Sequence, residues 1–272
     1  MKMSRENVYD KVLRLLQKVN KNLDLTHELQ TEIDPNVFFR RNSVNLLIGK
    51  KGSGKTYNVF RECLKLRFIK NHRYTKMLYI TDKPMDPTYL RIADLLPFPV
   101  DRVPYDQAVD AITQVSQAKA AMKEISIRKI ATVDLEDDAK EQLEGILGEN
   151  IDDPKEVYHT IDLLDDCQAM FERRTKENRD LWKLLFENRQ PKITYFLTVQ
   201  DPKGMDTSLK EALDSVWMFG GFTRHKFSYI LRSIPHDEDS AKLWKKYAPL
   251  TKNQCMVFCN NDEGEEILIL RE

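Results

Sequence analysis

The sequence predicts an α/β protein: a mostly parallel central sheet with helices on both faces. Two observations carry that expectation. Short apolar runs of strand length alternate with longer stretches of helical period, as in a sheet covered on both sides. The first of those runs ends in a glycine-rich turn that opens a helix.

The 272 residues, 41% of them hydrophobic, suffice for one substantial core with insertions. Lys plus Arg and Asp plus Glu each number 43, so no net charge draws the chain to a polyanion over distance. Any nucleic-acid contact has to come from a local patch. No run reaches the ~18 apolar residues of a membrane-spanning helix. The start, Met1-Lys-Met-Ser-Arg-Glu, lacks the apolar stretch of a secretory signal, so a cytosol-like compartment is expected. Cys63, Cys167, Cys255 and Cys259 show no Cys-x-x-Cys pairing and read as reduced, mostly buried thiols. The last two stand in an apolar segment with no histidine at ligand spacing, which favours core over zinc.

In chain order, Val8, Val12, Leu15, Leu16, Val19 and Leu23 recur at helical spacing and predict one amphipathic helix from Arg5 to about Leu29. It forms an N-terminal extension over 1–40, ahead of a main domain over 41–272. Leu46 to Ile48 reads as a buried strand, Tyr57 to Ile69 as the helix after it, and Met77 to Thr81 as a second strand stopped by Lys83-Pro84. From Asp106 to about Gly148 the composition is helical. The acidic, glycine-containing part from Asp134 to Pro154 predicts an exposed piece of an insertion over about 106–155. Strands resume at Tyr158 to Leu164 and, after a helix over roughly Asn178 to Glu187, at Ile193 to Val199. Ser215 to Phe219 runs into Gly220-Gly221, and Cys255 to Cys259 with Glu266 to Leu270 flank a hairpin turn at Asn260 to Gly264.

The glycine-rich turn reads Gly49-Lys50-Lys51-Gly52-Ser53-Gly54-Lys55-Thr56, a Gly-x-x-x-x-Gly-Lys-Thr match with a strand before it and a helix after it. That spacing suits nucleoside triphosphate. The glycines let successive backbone N–H groups and the helix N-terminus surround phosphate oxygens. Lys55 neutralises the β- and γ-phosphates, and the Thr56 hydroxyl ligates Mg²⁺. The nucleotide-binding set is Gly49, Lys50, Lys51, Gly52, Ser53, Gly54, Lys55, Thr56 and Tyr57, with the Lys50 and Lys51 side chains read as solvated loop charges.

Such a site needs an acid at the end of a second strand to hold the metal's water shell. Thr160-Ile-Asp-Leu-Leu-Asp165-Asp166 supplies two. Asp165 is expected to hold Mg²⁺ and Asp166 to orient or deprotonate the attacking water. Asp162 interrupts the apolar run. It reads as a salt-bridged residue on a partly exposed face, or as a competitor to Asp165 in a different register. Gln200, at the tip of Ile193 to Val199, is placed to sense the γ-phosphate or to cap the strand.

Leu46 to Thr56, Leu163 to Gln168 and Arg189 to Gln200, in this order and spacing, resemble the packaging ATPases of the FtsK-HerA superfamily, those of large nucleocytoplasmic DNA viruses and virus-like transposons. The likeness extends loosely through Trp217 to Gly221 and Tyr247 to Phe258, covering about Val44 to Cys259. Members carry a basic loop, often Arg-His, before the third strand; here Arg189 matches and Gln190 stands where histidine is usual. The resemblance implies an ASCE or RecA-like P-loop NTPase using ATP and Mg²⁺, with Lys55, Asp166, Gln200 and Arg189 catalytic and Thr56 and Asp165 at the metal. It implies a homo-oligomeric ring, pentamer or hexamer, in which an arginine of one subunit reaches the nucleotide of the next. Arg173, Arg174, Arg189 and Arg224 are the candidates. It also implies double-stranded DNA and a capsid or portal protein as partners, in host cytoplasm, viral factory or virion. A P-loop kinase of a small molecule, a cellular DNA pump of the same superfamily and a non-catalytic nucleotide switch are the other readings. Phe222 to Phe227 offers a DNA contact or a plain surface turn, and Trp182 and Trp244 read as core or interface anchors.

Overall fold

The structure is a computed structural model that describes residues 38–69, 72–84, 87–128, 135–148, 151, 159–172, 175–187, 191–202, 205, 212–232, 234, 236, 238–261 and 264–270. The expected helix from Arg5 to Leu29 lies outside them.

Eight strands form one sheet in the order β3-β2-β4-β5-β1-β6-β7-β8. They are β1 (Val44–Ile48), β2 (Tyr74–Ile80), β3 (Val100–Val103), β4 (His159–Leu164), β5 (Ile193–Val199), β6 (Ser215–Phe219), β7 (Cys255–Asn261) and β8 (Gly264–Leu270). The pairings from β3 across to β6 are parallel, and β7 and β8 add an antiparallel hairpin at one edge, so the sheet is mixed. The helices are α1 (Lys55–Lys65), α2 (Pro87–Ala93), α3 (Ala108–Arg128), α4 (Asp137–Leu147), α5 (Gln168–Glu172), α6 (Lys176–Phe186), α7 (Arg224–Leu231) and α8 (Ser240–Tyr247).

Strands covered on both faces read as continuous apolar runs, and every residue of β1, β2, β4, β5 and β6 is buried. Alternate side chains serve two cores. Leu47, Met77, Tyr79, Leu163, Phe196 and Trp217 pack with Val59, Phe60 and Cys63 of α1. Leu46, Ile80, Leu164, Tyr195, Leu197 and Met218 pack under α3, α6, α7 and α8. Trp182 and Trp244, half-buried, join the second core.

Several elements escape sequence reading, the helices α5 and α7 among them, and for β3 and α2 the reason is physical. β3 is an edge strand whose middle residues, Asp101 and Arg102, are exposed, so it has no apolar run to betray it. α2 is a single short helix of seven residues. The acidic segment expected to be exposed is so along most of α4 but is docked at its end. α4 keeps an acidic outer face, but Leu147 and Ile151 are fully buried against Ala118 and Met122 of α3. The end of α4 is tied to the sheet: the Thr75 hydroxyl donates to the Leu147 carbonyl (2.8 Å) and the Lys76 ammonium to the Gly145 carbonyl (2.7 Å). Gly148 ends the helix at φ 74, and a Cβ there would stand 2.6 Å from the Thr75 carbonyl, so the close approach requires glycine.

Candidate functional site

In a parallel sheet the ligand crevice lies beyond the carboxyl ends of the strands. β1, β2, β4, β5 and β6 all deliver their polar tips to that edge. The phosphate-type loop leaves β1 and enters α1, and the acids follow β4. These two strands are not neighbours, because β5 lies between them. Gln200 therefore emerges between the loop and the acids.

The Thr56 hydroxyl donates to Asp165 Oδ1 at 2.6 Å, closing a gap of 109 residues in sequence. The same oxygen accepts from the Thr198 hydroxyl (2.9 Å), and Asp165 Oδ2 accepts from the Tyr79 hydroxyl (2.9 Å). Thr198 in turn accepts the Asp166 backbone N–H at 2.7 Å. Asp165 is thus fixed by three hydroxyls from β2, β5 and α1. The neighbouring Asp166 adopts a left-handed backbone at φ 60, costing about 1–2 kcal/mol for a non-glycine residue, and this turns its carboxylate away from that of Asp165.

Both oxygens of Asp166 are occupied. Lys83, from the loop after β2, donates to Oδ2 at 2.5 Å, and Gln200 Nε2 donates to Oδ1 at 3.2 Å. Partial burial pushes this carboxyl upward, but the Lys83 and Gln200 hydrogen bonds and the charges of Lys83 and Lys55 outweigh it and leave it below the ordinary value. Lys55 is 8% exposed and donates to the carbonyls of Gly49 (2.7 Å) and Lys50 (3.3 Å) of its own loop. Burial lowers its pKa, opposed by the charges of Asp165 and Asp166 across the crevice.

Of the residues expected here, Gly49 through Thr56, Asp165, Asp166 and Gln200 come together. Lys50 and Lys51 are exposed, and Tyr57 is buried within the core on the α1 face. Arg189, Arg173 and Arg174 lie outside the described residues, and Arg224 is exposed at the start of α7. In the segment Phe222 to Phe227 both phenylalanines are buried and Thr223 to His225 are exposed. Cys63, Cys167 and Cys255 are buried thiols, with Cys259 half-buried.

Asp162 is neither partly exposed nor a competitor of Asp165. It is fully buried, directly across from Tyr195 in the β4–β5 register, on the face covered by α3. Neither carboxylate oxygen has a hydrogen-bond partner among the described residues. Lys119 of α3, spending its own ammonium on Thr160 Oγ1 (2.9 Å) and the Pro191 carbonyl (2.7 Å), supplies the nearby positive charge. Sequence reasoning also passed over Tyr79, Lys83 and Thr198. The signal available for Lys83 and Thr198 was position alone, since both stand at strand ends where the other site residues lie.

The donors at Thr56 and Asp165 are hard oxygens, which suit Mg²⁺. Among the described residues no group of three or more His, Cys, Asp or Glu could cage a metal.

No family model matches the chain, and no curated protein matches it. Solved structures do share its fold. The DNA-packaging ATPase B204 from Sulfolobus Turreted Icosahedral Virus superimposes with a TM-score of 0.50 at 13% identity, over 84% of this chain and 98% of that one. EssC (ATPases 2 and 3) from Geobacillus thermodenitrificans gives 0.53 at 14% identity, over 84% of this chain and 39% of that one. The fold is therefore one used by ATPases, a viral genome-packaging enzyme among them.

Proposed function

We propose that the chain is a Mg²⁺-dependent ATPase of the ASCE, RecA-like arrangement, and that it works in a homo-oligomeric ring as a motor moving double-stranded DNA into a capsid. The observation that carries the ATPase reading is the 2.6 Å contact of Thr56 with Asp165, made across an intervening strand with Lys55 and Asp166 in the same crevice. The DNA reading rests on the fold shared with a DNA-packaging ATPase and on the sequence resemblance.

In this reading the backbone amides of Gly52 to Thr56 bind the phosphates, and Lys55 leaves its loop carbonyls to pair with the β- and γ-phosphate oxygens. Thr56 and Asp165 hold Mg²⁺, which neutralises charge on those oxygens when bound. Asp166, with Gln200 beside it, orients the attacking water and accepts its proton. The three hydroxyls on Asp165 keep that carboxylate in one pose while charge builds up opposite it, so little reorganisation is needed during reaction.

The test is ATP turnover measured with and without linear duplex DNA at low salt, with free phosphate followed in the absence of any acceptor. The wild type should release phosphate and be stimulated by DNA. Asp166→Asn should bind nucleotide but lose turnover by at least about a hundredfold, on the order expected for a general base. A monomeric enzyme indifferent to DNA would sink the motor, and transfer of phosphate to a small acceptor would make it a kinase.

A further inference from the structure

The phosphate-type loop has two flanks. On the β5–β4 side stand Asp165, Asp166 and Gln200. On the other side, past β6, the turn between α8 and β7 is packed directly onto it. The Asn253 N–H donates to the Ser53 carbonyl (3.1 Å), and Asn58 Nδ2 donates to the carbonyls of Gly54 (2.9 Å) and Asn253 (3.3 Å). Asn253 takes a left-handed backbone at φ 72, and its Oδ1 lies 2.2 Å from where a Cβ on Gly54 would stand. Gly54, at φ 87, is thus required both by its own conformation and by the closeness of this turn. The turn is closed in itself by the Thr251 N–H on Gln254 Oε1 (3.0 Å), and it is fastened to β6 by the Gly220 N–H on the Gln254 carbonyl (2.9 Å).

This anchoring directs Lys252. Its side chain is exposed, yet the ammonium turns back over the loop instead of extending away from it. Among the described residues it is the sole group within 4 Å of a Cβ built on Gly52, at 3.9 Å, and so stands over the tip of the loop. Lys50 and Lys51 are exposed on the same loop, and among the described residues none of these three lysines forms an ion pair. Three like charges beside a row of backbone N–H donors repel one another unless an anion comes between them. Asp165 and Asp166 stand on the opposite flank, so a bound triphosphate directs its γ end toward Asp165 and its α end and nucleoside toward Lys252.

We infer that Lys252 is a polyphosphate-binding residue, held over the α- and β-phosphates by a turn that Asn253 locks to the phosphate loop. This rests on the nucleotide reading of Gly49 to Thr56, and it adds a ligand that neither the motif nor strand periodicity discloses. The contact is a charge contact, so it serves ATP, ADP and inorganic tripolyphosphate alike.

The test measures binding of a fluorescent ATP analogue, and its competition by ATP and by tripolyphosphate, for wild type, Lys252→Ala, Lys252→Arg and Lys55→Ala. Lys252→Ala should weaken ATP and tripolyphosphate by the same factor, about tenfold or ~1.4 kcal/mol at low salt. The loss should shrink as salt rises, Lys252→Arg should recover most of it, and the melting temperature should stay put because the side chain is exposed. Wild-type affinity in Lys252→Ala overturns the inference, as does a loss confined to ATP or one that arginine fails to rescue. A wild type that binds no nucleotide, or a Lys55→Ala variant that binds as well as wild type, overturns instead the nucleotide reading beneath it.

Discussion

Replacing Thr198 with valine removes one oxygen from a fully buried position and keeps the shape. That oxygen donates to Asp165 Oδ1 at 2.9 Å and accepts the Asp166 N–H at 2.7 Å. A hydrogen bond to a carboxylate contributes about 1.5–3 kcal/mol, and a buried N–H left without an acceptor costs about 1–3 kcal/mol. The added methyl returns about 0.8 kcal/mol of apolar burial. The net loss is about 2–5 kcal/mol. At roughly 2–4 °C per kcal/mol for a domain of this size class, melting should fall by about 4–20 °C. Asp165 keeps Thr56 and Tyr79 as donors, so the fold survives. The carboxylate loses its third tether, and support of that kind around a metal ligand is worth about 10–100-fold in metal affinity or activity. Thermal unfolding and the Mg²⁺ concentration giving half-maximal ATP turnover measure the two effects, and nucleotide binding without Mg²⁺ should hold. A Thr198→Val protein with wild-type melting and wild-type Mg²⁺ dependence would refute the network.

Lys83→Ala removes the ammonium that, with Gln200, keeps the Asp166 carboxyl below its ordinary pKa against the upward pull of burial. Its pKa should therefore rise, so the acid side of the turnover profile should move to higher pH; an unmoved profile counts against Lys83 as its partner. The pair is largely exposed, at 61% for the Lys83 side chain and 32% for Asp166, so melting should change by no more than a few degrees. Asp162→Asn tests the buried pair under α3. Burial raises the Asp162 carboxyl from its ordinary value to a higher one, against the pull of Lys119. Between those values the folded chain holds a proton that the unfolded chain has released, so wild-type stability should fall as pH rises across that window. The amide of the variant titrates nothing there, and urea unfolding from about pH 4 to about pH 7 should show a flatter curve for it; parallel curves would mean that Asp162 ionises freely.

Much of the site was legible because its residues obey local rules. A glycine-rich turn between a strand and a helix, and apolar runs ending in Asp165-Asp166 and in Gln200, are patterns a few residues long, set by backbone sterics and by burial on both faces of a strand. The hairpin of β7 and β8 and the strand Ser215 to Phe219 are of the same kind.

What the tertiary structure alone decided is adjacency. Strand order places β5 between β1 and β4, and only that order brings Thr198 between Thr56 and Asp165, Tyr79 beneath Asp165, and Lys83 against Asp166. The burial of Asp162 depends on α3 covering one face of β4, and the docking of α4 depends on Leu147 and Ile151 meeting α3 and on two hydrogen bonds to β2. The turn at Lys252 meets the phosphate loop across a long stretch of chain, 195 residues for Asn58 and Asn253. Periodicity reports which face of an element is buried, and it carries no information on which distant element will cover that face. Crossover connections and helix packing fix that choice, and with it every partner that the acids and the phosphate loop acquire.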